Sequence, residues 1–320
     1  MSTRHPTSAV DIHAHFVPTG YRDALAARGV TTPDGFPIPA WSADTHVATM
    51  DRLGIETSVL SLSSPGVVPF GSDALEWARR VNDEAAIIAT EYPGRFRFFG
   101  TVPLPDVEAA CVEARRVIDD LGAAGIVLLT QTNGVYLGDA VIEPLIEVLD
   151  ELAAVVFVHP TSPAGCKAVD MGRPAAFVEY LVDSTRAFVN LYTHSVFTRY
   201  PHIRWIVAHN GALLPDLVDR VDLLAPLLLP PDPERGTLAD TLGSLYYEIG
   251  SSAPFPRAAA SAAALTDFSH LLLGTDYPYA PLTAIEDNLA ALQAGHLVQG
   301  AQLRALLMGN AQSILLNTAP

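Results

Sequence analysis

Ionisable residues that end apolar runs are where this chain could do chemistry. The first such run, Val10-Asp-Ile-His-Ala-His15, carries Asp11, His13 and His15. Side chains of an extended segment alternate with a period of two, so His13 and His15 point to the same side. Two imidazoles on one face suit a divalent metal ion. Further along, Val-Val-Phe-Val ends in His159, Trp-Ile-Val-Ala in His209 and Leu-Leu-Leu-Gly-Thr in Asp276. Taken singly, each has a plain explanation. A strand-end histidine is commonly a hydrogen-bonded structural residue, and Asp276 could cap the segment after it. Together they form a set of nitrogen and oxygen donors at the ends of separate strands, which is the composition of a metal centre.

The elements that must position these residues alternate along the chain. Short apolar runs predict strands at Val10–His13, Ser58–Leu62, Phe96–Val102, Gly125–Leu129, Val155–His159, Ile203–His209, Leu245–Ile249 and Leu271–Thr275. Helix-period stretches lie between them at 73–92, 107–121, 139–153, 175–200, 213–224, 256–265 and 283–292, and a last one at 302–316 closes the chain. Strands alternating with helices argue parallel βα units, and eight units are the count that closes a (β/α)8 TIM barrel. An open doubly wound sheet is the alternative on periodicity alone. In a barrel all the strand-end residues above would share the catalytic face. Phe16–Ala43, rich in proline and glycine, reads as an irregular insertion that lids or lines a site. Pro226–Gly236 reads as a second, exposed loop. No internal repeat or linker divides residues 1–320, so one domain is expected.

Composition removes several function classes. Nineteen basic against 35 acidic residues give a formal net charge of −16, a poor match to nucleic acid or to an anionic membrane. A hydrophobic fraction of 49 % supplies a large core. Lys167 is the one lysine, which excludes a Walker loop and disfavours a Schiff-base mechanism. There is no GxSxG elbow. Cys111 and Cys166 have no CxxC neighbour, against a thiolate metal finger or redox pair. Residues 1–9 lack the apolar core of a signal peptide, and no run is long enough to span a membrane, so a cytoplasmic protein is expected.

Four stretches carry a family resemblance: Asp11-Ile-His-Ala-His-Phe16, His159-Pro160, His209-Asn-Gly-Ala-Leu-Leu-Pro215 and Gly274-Thr-Asp-Tyr-Pro278. In this order they resemble the motifs of the amidohydrolase superfamily over residues 10 to 316. The branch is that of aminocarboxymuconate semialdehyde decarboxylase and related metal-dependent aromatic acid decarboxylases. Ser63-Ser-Pro-Gly-Val67, Pro103-Leu-Pro-Asp106 and Asp183-Ser-Thr-Arg-Ala187 are similar to the 6-methylsalicylate decarboxylase type. The resemblance implies one divalent ion, zinc or manganese, held by His13, His15, His159 and Asp276. It gives His209 an acid/base role beside the ion. Val127-Leu-Leu-Thr-Gln131 has no lysine where two-metal relatives carry a carboxylated one, which favours a single ion.

The implied reaction is decarboxylation of a small hydroxylated aromatic acid, with Asp276 as the proton donor to the ring. Arg220, eleven residues after His209, corresponds to an arginine that reaches a neighbouring subunit's substrate, which implies a homodimer. The resembled decarboxylase has a second carboxylate-binding arginine upstream of a Trp, and Gly35–Ala40 before Trp41 has none, so the resemblance implies a monocarboxylate rather than a dicarboxylate. Phe16, Trp41, Tyr277 and Tyr279 are candidate ring contacts. Arg186 is expected in a helix salt bridge and His194 in a core or dimer contact. Asn210 interrupts the usual His-Gly-Gly but tolerates positive φ. His5, His46, His270 and His296 read as surface, and His202 lies away from the catalytic end. The same ligands would equally serve a lactonase or amidohydrolase. A non-catalytic barrel is the third reading, disfavoured by the complete ligand set.

Overall fold

The computed structural model describes residues 8–250, 257–295 and 297–316. Eight parallel strands follow one another around a barrel: β1 Ala9–His15, β2 Ile55–Ser61, β3 Phe96–Thr101, β4 Gly125–Leu129, β5 Val155–His159, β6 Arg204–Val207, β7 Tyr246–Ile249 and β8 Leu271–Leu273. Each pairs with its sequence neighbour. The seam between β8 and β1 closes through the chain just after β8. Asp276 N–H donates to His13 O at 2.7 Å and His15 N–H donates to Tyr277 O at 2.7 Å. The open doubly wound sheet is thereby excluded.

Two apolar layers hold the barrel. Val10, Ile12, Val59, Val155, Ile206 and Leu272 fill its interior, where Phe99 and Phe157 stack with ring centroids 5.6 Å apart. Ala311, Ile314 and Leu315 of the final helix Asn310–Leu316 join that interior cluster. The larger cluster lies between strands and helices, as the fold requires.

Helix boundaries follow local chemistry. Ser42 caps Ala43–Leu53 by accepting from Thr45 N–H, and Gly54 ends it at φ 73°. Asp106 caps Val107–Arg115 in the same way. Some expectations need correction. The segment 16–43 is not irregular throughout, because Thr19–Ala27 is a helix whose Tyr21 and Leu25 are buried. The expected helix 175–200 is three pieces, with Glu179–Thr193 the longest and Ser195 at φ 54° breaking it before Val196–Arg199. The helix expected at 213–224 runs over Leu214–Leu228, so Pro226 lies in its last turn rather than in a loop. No helix among the described residues is long and apolar enough to cross a membrane.

Candidate metal centre

β1 delivers the first part of the site. Its pairing with β2 slips between Asp11 and Ala14, the type of irregularity that re-aims side chains beside active sites. Within the slip the His13 ring rests edge-on against Phe157, with centroids 4.8 Å apart. His13 and His15 are both fully buried, and their Nε2 atoms are 3.0 Å apart. His159 ends β5 and Asp276 follows β8. One donor atom from each of His13, His15, His159 and Asp276 lies within 4.8 Å of the others.

The donor set fits a divalent ion, because each histidine has its other ring nitrogen occupied. His13 Nδ1 is 2.9 Å from Glu248 Oε2, and His15 Nδ1 is 3.0 Å from Ser61 Oγ. His159 Nδ1 is 2.8 Å from Pro160 O. With Nδ1 engaged at all three rings, Nε2 is the free lone pair, which is how proteins orient histidine ligands. Asp276 adds the oxygen, its Oδ1 3.1 Å from His15 Nε2. These distances bring together all four residues expected as ligands.

Burial and neighbouring charges pull the four groups in different directions. Burial pushes His159 well below the usual imidazole range, and the charges of His15, His13 and His209 add to it. Burial likewise lowers His15. Burial would lower His13 too, yet Asp276 and Glu248 hold it above its ordinary value. Burial would raise Asp276, but the His13 charge and hydrogen bonds from His15 and His209 hold it well below the carboxylate range. These contacts favour the ionised form of Asp276, the form that could serve as a ligand.

Two carboxylates support the ligands, and the motif search passed over both roles. Glu248, fully buried on β7, meets His13 and also accepts from His209 N–H at 3.0 Å. Its signal was a lone charge inside the apolar run Leu245–Ile249. Gly274 is glycine because a Cβ there would come within 2.3 Å of Glu248 Cγ. Asp11 accepts from His13 N–H and from both the N–H and the hydroxyl of Thr275, tying β1 to the Asp276 turn. His209 follows β6 with Nε2 3.7 Å from Asp276 Oδ2, and among the described residues its buried Nδ1 has no hydrogen-bond partner. His209, Asn210 and Ala212 all have positive φ, a run of backbone strain that turns the imidazole into the site. Asn210 sits at φ 58°, as its tolerance for that region led us to expect.

Beside the donors lies a cavity of about 230 Å³ lined by His159, His209, Asp276, Tyr180, Tyr279 and Phe177, and by Ser63, Ser64, Pro33 and Phe36. Among the described residues no arginine or lysine lines it. Phe16 and Trp41 do not line it either, contrary to expectation. Phe16 is 1 % exposed and packs edge-on against Trp41 in the layer outside the barrel, because strand alternation turns it away from the face of His13 and His15. Trp41 donates its indole N–H to His46 Nδ1 at 3.0 Å. His46 is thus buried, not on the surface, and Tyr277 packs on it.

Arg220 is exposed on Leu214–Leu228 and lines a different groove with Arg186, Leu217 and Leu224, outside its own chain's metal cavity. Arg186 pairs with Asp183 at 2.8 Å, as expected. His194 is exposed at a helix end, contrary to a core role, and His270 is half-buried. His202 is exposed and pairs with Asp150, while His5 and His296 lie outside the described residues.

A closed (β/α)8 barrel with three strand-end histidines and one aspartate at its mouth defines a metal-dependent enzyme scaffold. The family model described as amidohydrolase matches residues 10–315, and the chain belongs to that family. A 6-methylsalicylic acid decarboxylase of Aspergillus aculeatus is 31 % identical over 313 residues, covering 93 % of this chain and 94 % of that protein. A crystal structure described as amidohydrolase II superposes with a TM-score of 0.89 at 30 % identity, over 96 % of this chain and 99 % of that one. The 5-carboxyvanillate decarboxylase of Novosphingobium aromaticivorans, solved with manganese and 4-hydroxy-3-methoxy-5-nitrobenzoic acid, shares the fold. Its TM-score is 0.87 at 23 % identity, over 98 % of this chain and 97 % of that one.

Proposed function

We propose that this protein is a metal-dependent, non-oxidative decarboxylase of a hydroxylated aromatic monocarboxylic acid of the salicylate or 6-methylsalicylate type. The observation that carries this reading is the convergence of three histidines and Asp276 beside a small, ring-sized cavity that, among the described residues, no arginine or lysine lines. The similarity to a decarboxylase of 6-methylsalicylic acid across nearly the whole chain supports it. His13, His15, His159 and Asp276 are the residues that would hold one divalent ion, zinc or manganese. When bound, such an ion would supply Lewis-acid stabilisation of the negative charge on a hydroxylated aromatic carboxylate.

The chain's own residues then do three things. Tyr180, Tyr279 and Phe177 confine the ring. Asp276, which the neighbouring histidines hold ionised, takes the proton that the ortho hydroxyl gives up in becoming phenolate and passes it to the ring carbon that bears the carboxylate, with His209, 3.7 Å away, assisting the transfer. The bond from ring to carboxylate then breaks, CO2 leaves, and the bonding electrons restore aromaticity. Arg220 and the apolar groove between Glu179–Thr193 and Leu214–Leu228, flanked by exposed Leu223, Leu227 and Leu228, support a homodimer.

One observation favours a second reading. An Asp276 carboxyl held far below its ordinary range is a better base than acid, which suits water activation in a lactonase or amidohydrolase. The deciding experiment measures CO2 release from salicylate, 6-methylsalicylate and 2,6-dihydroxybenzoate by protein reconstituted separately with Zn²⁺ and Mn²⁺. Chelator-treated protein and Asp276→Asn are the controls. Release that requires both the metal and Asp276 is expected. Tight binding of one metal equivalent with no release, but with lactone opening, would transfer the site to hydrolysis.

A further inference from the structure

Asp34 belongs to the segment after β1, and nothing in the metal chemistry uses it. Its backbone is in the left-handed region at φ 56°, in the short turn Pro33–Gly35. Its carboxylate is the meeting point of three other elements. Oδ2 accepts from Ser64 Oγ, just after β2, and from the Tyr180 hydroxyl at 2.7 Å, on the helix Glu179–Thr193. Oδ1 accepts from Ser162 N–H at 3.3 Å, just after β5. Its neighbours Pro33 and Phe36 line the metal cavity, as do Ser64 and Tyr180. Gly35, at φ 84°, lies so close to the adjoining loop that a Cβ would meet Pro174 Cα at 2.9 Å. The turn is therefore seated, and the carboxylate stands directly behind two hydroxyls of the cavity wall.

The polarity of that wall follows from the chemistry of the acceptor. A carboxylate accepts and does not donate, so Ser64 and Tyr180 each direct their one proton at Asp34. Thr161 Oγ1, 2.8 Å from Ser64 Oγ, must then be the donor in that pair. What Ser64 and Tyr180 have left for a ligand is lone pairs, backed by a negative charge. Among the described residues no arginine or lysine lines the cavity to offset them. A ring substituent reaching this wall is favoured when it donates or is uncharged, and disfavoured when it is an anion.

We propose that Asp34 is a specificity-determining residue, which limits the substrate to aromatic acids with one carboxylate by giving the cavity an acceptor-only, negatively backed wall at Ser64 and Tyr180. This rests on the decarboxylase reading and names the substrate class of the same site. It also sets the hydroxyl directions at Ser64, Tyr180 and Thr161.

The test compares charge at constant size. Salicylates carrying either a carboxylate or a carboxamide at ring position 4 or 5 are offered to metal-loaded enzyme, and kcat/KM is measured for each beside salicylate itself. The wild type is expected to prefer the carboxamide over the carboxylate by about tenfold or more. In Asp34→Asn that ratio is expected to fall towards one, whatever happens to the absolute rates. Tyr180→Phe disturbs the same wall but keeps the carboxylate, so it is expected to retain the preference. Collapse of the ratio in both variants would mean a loosened loop and would overturn the proposal. So would an unchanged ratio in Asp34→Asn while salicylate is still turned over. No turnover of salicylate or of any carboxamide by the wild type would refute the decarboxylase reading, and the inference with it.

Discussion

Glu248 joins the two histidines with different duties, gripping the His13 ring with the same oxygen that accepts from the His209 backbone. A buried carboxylate behind a ligand imidazole fixes its tautomer and raises its basicity. Glu248→Gln keeps the shape and loses the charge. It is expected to weaken metal binding about 10- to 100-fold in a chelator competition, with the circular dichroism spectrum unchanged. His209 is placed beside the ligands rather than among them, so His209→Asn separates chemistry from metal binding. One metal equivalent should remain bound while kcat falls by about 10²- to 10⁴-fold. Loss of the metal in that variant would contradict the division of roles.

At the scale of elements, the helix Ala43–Leu53 is fastened to the barrel by His46. Trp41 donates to His46 Nδ1, so the neutral ring must carry its proton on Nε2, and a second proton would face the indole N–H. Burial, with the charges of His15 and Arg95, pushes this imidazole down to about 3. The folded value lies below the unfolded one, so the contribution to stability is complete above about pH 6.5 and is lost as pH falls through that value towards 3. Between pH 6.5 and 5 this amounts to about 2 kcal/mol. His46→Gln keeps an acceptor for Trp41, and the urea midpoint should fall less between pH 7.5 and 5 in the variant than in the wild type. An equal fall in both would remove His46 as the cause.

The sequence exposed the residues that end strands, because an ionisable group closing an apolar run is visible without any fold. It hid the residues that act from behind. Asp34 and Tyr180 meet only when two loops and a helix converge, and Phe16, a candidate ring contact, is turned away by strand alternation. The helix Thr19–Ala27 was concealed by the prolines and glycines around it, despite the helix-forming run Ala24-Leu-Ala-Ala27.

Across the whole molecule, the ligands come from β1, the end of β5 and the chain beyond β8, so a bound ion would clasp residues 13 and 276 across the seam that closes the barrel. Metal at a hundredfold excess over its Kd stabilises the folded state by about 2.7 kcal/mol. Chelation should therefore lower the melting temperature by several degrees, and restored metal should raise it again. The single-ion decarboxylase is tested most directly by titrating metal-free protein with Zn²⁺ or Mn²⁺ while recording CO2 release from 6-methylsalicylate or salicylate. The rate should climb with added metal and level off at one equivalent, with no release from Asp276→Asn at any loading. Full activity in metal-free protein, or a rate that levels off only at two equivalents, would contradict the account.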